Sequence, residues 1–117
     1  MAYVDGFLIP VPNARKDEYR AHEEKWWPWF QGKGATGLVV CWGDDVPEGK
    51  QTDFRRAVDL QTDETVVFAW MTWPDKATRD KAYQGMMEDG DMDGSDMPFD
   101  GKRMVYGGFA QILEVSG

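Results

Sequence analysis

Cysteine, histidine and basic charge are all scarce in this chain, and each shortage narrows what the protein can be. Cys41 is the single cysteine, so no intrachain disulfide can hold the fold and a reducing cytoplasm is the expected setting. It sits in the apolar run Leu38-Val39-Val40-Cys41-Trp42, where a buried, inert thiol is expected. Lys and Arg number 13 against 21 Asp and Glu, a net charge of -8. Such a surface repels a phosphate backbone, and nucleic acid is not an expected partner. Long hydrophobic runs are missing too: residues 66–73 are far too few to cross a bilayer. The first ten residues lack a basic start and carry Asp5 within their apolar portion, unlike a secretory signal. The expectation is a cytoplasmic protein with no membrane partner.

What is present is an aromatic-rich chain of 117 residues, with six Trp, six Phe and four Tyr. That length suits one domain, residues 1–117, able to bury a core without covalent staples. Residues 3–9 form a β-rich run stopped by Pro10 and Pro12, after which Asn13 is placed to cap a helix. The helix, residues 14–30, carries Tyr19, Trp26 and Phe30 at helical spacing. Pro28 should kink it near Trp27, and Gly32 and Gly34 should end it. Residues 36–42 read as a strand and 43–53 as a loop. A hairpin is expected next, with arms 54–60 and 65–73 about the polar turn 61–64. Pro74-Asp75 then repeats the proline-plus-cap device and opens a helix over 76–88. A loop over 89–103 leads to a last strand over 104–115.

The order strand, helix, strand, strand, helix, strand is the split βαβ, ferredoxin-like plan: an α+β fold with one antiparallel sheet and both helices on one face. Residues 66–73 are apolar at both alternating positions, as are 38–42, so the face without helices also needs a cover. A second sheet from an identical subunit supplies it, giving a homodimer.

Several runs extend the reading: Tyr3-Val4-Asp5-Gly6-Phe7, Val11-Pro12, Gly43-Asp44-Asp45-Val46-Pro47-Glu48-Gly49-Lys50, Phe54 with Ala57-Val58, Asp63-Glu64-Thr65-Val66-Val67-Phe68, and Met97 through Phe109. In this order they resemble the bacterial domain-of-unknown-function 1428 family. The resemblance implies a dimeric α+β barrel and no established activity. Related barrels include cofactor-independent monooxygenases and lactone isomerases, an analogy of fold that assigns no chemistry.

Candidate sites come from side chains out of keeping with their surroundings. Asp5 shares a strand face with Tyr3, Phe7 and Ile9, so its carboxylate must find a donor. Arg55, Arg56, Lys102 and Arg103 are the cations considered, and a structural ion pair is the favoured reading over a ligand contact. His22 flanks the helical aromatic stripe and could act as a base only with a cleft and an orienting partner. Were the protein an enzyme, Asp5, His22, Arg55 and Tyr106 would be the acid, base and anion-holding candidates. Trp70 and Trp73 fall on opposite faces of one strand, and with Trp26, Asp44 and Asp45 they are candidate contacts for a small organic ligand in an aromatic cleft. Asp44-Asp45 reads equally as a turn with self-bonding side chains. Asp89, Asp91, Asp93 and Asp100 imitate the spacing of a calcium loop. The pattern departs from the rule at its twelfth position, at Asp96, and in the strand that follows, so no metal is assigned. No cofactor is expected. The opposing reading is a noncatalytic dimerisation module whose interior is filled by its own side chains.

Overall fold

The structure, a computed structural model, describes residues 2–89 and 97–117. Four strands form one sheet: β1 (Tyr3–Pro12), β2 (Gly37–Trp42), β3 (Glu64–Trp73) and β4 (Val105–Ala110). Their order is β2-β3-β1-β4 and every neighbouring pair is antiparallel. Helices α1 (Lys16–Gly32), α2 (Phe54–Ala57) and α3 (Lys76–Asp89) complete an α+β fold. Among the described residues no helix is long and apolar enough to cross a membrane.

Register decides which side chains meet. Tyr3 stands opposite Trp73, Asp5 opposite Met71 and Ile9 opposite Val67, so odd residues of β1 and β3 share one face. Ile9, Val11, Val67, Ala69, Met71 and Trp73 are buried there with Tyr19 and Ala82 from the two long helices. The opposite face carries Val39, Phe68, Val105 and Phe109, all exposed. Trp70 is half-buried on that face, while Trp73 is fully buried beneath the helices. Cys41, paired with Phe68, is exposed and not buried: β2 is an edge strand, and odd residues of that strand point away from the helices.

Several local expectations are corrected. Asn13 caps nothing through its side chain. It opens a 3-10 turn, Asn13–Arg15, and accepts the Thr65 hydroxyl proton on Oδ1, which ties the turn to β3. Pro28 does not interrupt α1, which continues to Gly32; a proline removes one backbone donor, and the turns on either side hold the helix across that gap. Residues 54–60 form no hairpin arm. Asp53 accepts the backbone N–H of Arg56 at 2.7 Å and starts α2, so an N-cap overrides the β-like composition. The strand pairing with β3 is instead β2. β4 stops at Ala110, well short of residue 115, because its sole partner β1 begins at Tyr3, opposite Ala110. Asp75, as expected, caps α3 by accepting the Thr78 N–H at 2.8 Å.

The end of α1 illustrates how a single glycine joins local and tertiary structure. Ala35 N–H donates to Phe30 O and Gly34 N–H to Gln31 O, with Gly34 at φ +111, the paired bonds of a Schellman ending. A Cβ at Gly34 would lie 2.5 Å from Thr78 Cγ2, so the same glycine permits the turn and the approach of α1 to the first turn of α3.

Candidate functional site

Asp5 is the one charged side chain among the described buried residues, 2% exposed. Its Oδ2 accepts hydrogen bonds from Trp73 Nε1 at 3.0 Å and Tyr83 Oη at 2.6 Å. Its Oδ1 accepts from Arg79 Nε at 3.0 Å, with Arg79 Nη2 in ion-pair contact at 2.9 Å. The partner is therefore Arg79 on α3 and none of Arg55, Arg56, Lys102 or Arg103, which lie on other elements. Burial opposes the Arg79 charge, but Asp80 and Asp5 outweigh it and hold its pKa above the ordinary value. Burial, then the bond to Asp5, raises the Tyr83 phenol. Gly108 faces Asp5 across β1 and β4, and a Cβ there would come within 2.4 Å of Tyr3 Oη and 3.0 Å of Arg79 Nη2. The second glycine of Tyr106-Gly107-Gly108-Phe109 thus leaves room for the guanidinium. Every oxygen of Asp5 is engaged, so the carboxylate is a clamp joining β1, β3 and α3.

Arg103 likewise belongs to structure. It makes a two-pronged pair with Glu64 at 2.7 and 2.6 Å, donates to Asp59 O at 2.9 Å and bonds Asp100 Oδ2 at 2.9 Å. Arg103 holds the Glu64 carboxyl below its ordinary pKa. Asp100 also accepts the Lys102 N–H at 3.0 Å, so its oxygens serve a turn. Asp91 and Asp93 lie outside the described residues, as does the side chain of Asp89.

The remaining sequence candidates sit on separate elements. His22 lies on α1 beside Phe99, ring centroids 6.4 Å apart. Arg55 borders a small hollow with Glu48 and Asp53, Tyr106 is exposed on β4, and Asp44 and Asp45 are exposed in the bend after β2. Trp26 lies beneath the Lys25 ammonium, 5.7 Å from its ring centre.

A cleft of about 820 Å³ lies between α1 and β2. Leu38, Val40 and Trp42, the residues of β2 that point toward the helices, make one wall. Tyr19, Glu23 and Trp27 stand one turn apart on α1 and make the other. Of the stripe expected at Tyr19, Trp26 and Phe30, Tyr19 and Phe30 pack against the core, Trp27 takes the place of Trp26, and Glu23 adds a carboxylate. Helical spacing from Tyr19 reaches 26 and 27 equally well, and the acidic Glu23 between them was the available signal.

Glu23 makes no salt bridge among the described residues. Burial raises its pKa, and the neighbouring Tyr19 hydroxyl offsets this only in part. That hydroxyl is itself buried without a well-formed hydrogen bond, and burial, then the Glu23 charge, pushes its pKa up. A carboxyl raised in the folded state stabilises the fold below its unfolded value of 4.5, and this contribution is lost as pH rises through the folded value. Glu23→Gln is accordingly expected to raise the urea midpoint at pH 7, with the gain disappearing at pH 4. An unchanged midpoint at pH 7 would show Glu23 to be fully solvated.

The known proteins most informative here carry no assigned activity. Residues 2–101 match the family described as Protein of unknown function (DUF1428). The chain is 52% identical over 116 residues to the uncharacterized protein YbaA of Escherichia coli K12, covering 97% of this chain and 99% of that one. The same figures hold for YbaA of Escherichia coli O157:H7 and of Shigella flexneri. With a match of this length and similarity along nearly the whole chain, the protein belongs to the DUF1428 family.

Proposed function

We propose that the protein is a cytoplasmic homodimer that binds a small organic molecule in the cleft between α1 and β2. Two ferredoxin-like sheets pack through their helix-free faces, and each subunit keeps its own cleft on the helix side. The observation that carries the reading is the cleft itself: about 820 Å³ and lined by Tyr19, Trp27, Leu38, Val40 and Trp42 together with charged side chains of α1, a volume within the range of small-molecule sites. The Asp5 clamp supports binding over chemistry at the buried carboxylate, since its three hydrogen bonds and its ion pair with Arg79 engage both oxygens. The free Cys41 on the apolar sheet face suits a reducing compartment and burial against a second copy.

The test is a titration of the intact protein with a panel of small soluble aromatic compounds, followed through the six tryptophan indole N–H resonances. Binding in the cleft moves the signals of Trp27 and Trp42 and leaves those of Trp26 and Trp29 in place. If no compound shifts Trp27 or Trp42 at millimolar concentration, the cleft is not a ligand site.

A further inference from the structure

We infer that the occupant of the α1–β2 cleft is an organic ammonium compound, its cationic head between the aromatic rings and Glu23 and its hydrocarbon part on Leu38 and Val40. This rests on the cleft being a ligand site and specifies what it would select.

The charges lining the cleft do not balance. Arg20 is committed to Glu24 at 3.0 Å, and the Lys16 ammonium rests over the Trp42 indole, 5.0 Å from its centre. Asp17 is exposed at the rim. Glu23 is left inside, drawn away from water by burial and without a salt bridge among the described residues. β2 brings no ionisable side chain to this cleft, so the groups facing Glu23 are those of α1 alone: Lys16, Asp17, Tyr19, Arg20 and Glu24. A half-buried carboxylate with no counter-ion is stabilised by any cation that enters beside it.

The rings favour the same sign. Tyr19, Trp27 and Trp42 line the space, and aromatic faces attract ammonium groups through their quadrupoles. Lys16 shows that the Trp42 face already accommodates one. Lys25 over Trp26 and Lys33 over Trp29 repeat the contact elsewhere on the helix. An anion would meet Glu23 and the ring faces together, both repulsive. The chain's net charge of -8 adds long-range attraction for a cation.

The probes are benzyltrimethylammonium, benzyl alcohol and phenylacetate, which share a ring and differ in charge. With the full-length protein at pH 7.5 and low salt, benzyltrimethylammonium is expected to shift the Trp27 and Trp42 indole signals with an affinity at least about tenfold above that of benzyl alcohol. Phenylacetate is expected to produce no shift. Glu23→Gln should bring the cation down to the affinity of the alcohol and leave the alcohol unchanged. Affinity for the cation should rise as pH increases through the Glu23 titration and should weaken with salt, whereas alcohol binding should respond to neither. If alcohol or phenylacetate shifts the same two indoles as tightly as the cation, the cationic preference is overturned while the cleft remains a binding site. If none of the three moves Trp27 or Trp42, both readings fall. Cation binding unaffected in Glu23→Gln also overturns the proposal.

Discussion

Asp5→Ala is expected to cost about 3–5 kcal/mol of folding stability, because it leaves the Arg79 guanidinium, the Tyr83 hydroxyl and the Trp73 N–H without their shared acceptor. At about 4 °C per kcal/mol for a domain of this size, the melting temperature should fall by roughly 12–20 °C. Arg79→Met strands the carboxylate instead and should be similarly damaging. The double variant Asp5→Ala with Arg79→Met removes both charges, so its loss should be well below the sum of the single losses. Differential scanning calorimetry on the four proteins reads the cycle directly. Asp5→Ala melting with the wild type would mean that the carboxylate stands in solvent, free for a ligand, and the clamp would have to be given up.

Phe68→Glu is expected to abolish the proposed homodimer. Phe68 is 47% and Phe109 61% exposed on the helix-free face, with Val39 and Val105 at 42% each. Phe54 from α2 reaches Phe68 edge-on at 6.0 Å, and Trp70 stands 5.4 Å from it. A contiguous patch of this kind on a monomer exposes apolar surface that association would remove from water. Placing an unpaired carboxylate in the middle of such an interface costs about 3–5 kcal/mol, which weakens dimerisation by about two to three and a half orders of magnitude. Sedimentation equilibrium at micromolar concentration should give twice the 13.3 kDa chain mass for the wild type and the single mass for the variant. A wild type that remains monomeric and soluble would remove the proposed packing of sheets, although the cleft on the helix side would survive.

Much of the fold was legible in the chain because it rests on local rules. The β-rich run 3–9 and the run 66–73, apolar at both alternating positions, announced two strands. Asp75 after Pro74 marked the start of α3, and Gly34 marked the end of α1. The errors occurred where two local rules competed. Residues 54–60 have strand-like composition, but the Asp53 cap outweighs it. The apolar composition of residues 111–115 suits a strand, yet β1 offers no backbone beyond Tyr3 with which a longer β4 could pair in register.

The site was less legible. That Asp5 needed a partner followed from its strand face, but the identity of the partner did not. Arg79 lies 74 residues away, and nothing local distinguishes it from the other arginines. It reaches Asp5 because α3 crosses that end of the sheet and Gly108 leaves space for it. Glu23 could be placed on α1 from the sequence; that it would be drawn from water depended on β2 lying opposite.

By itself the sequence determined the two long helices and the central strands, the apolar character of both sheet faces and the presence of one carboxylate that had to be paired. These depend on side-chain periodicity and on the cost of burying charge, which act over a few residues at a time. Tertiary structure decided that Arg79 answers Asp5, that Trp27 and not Trp26 joins Tyr19 in the cleft, and that Glu23 makes no salt bridge among the described residues. Such pairings depend on how whole elements are set against one another, and a helix rotated by one residue, or about 100°, would have chosen different partners.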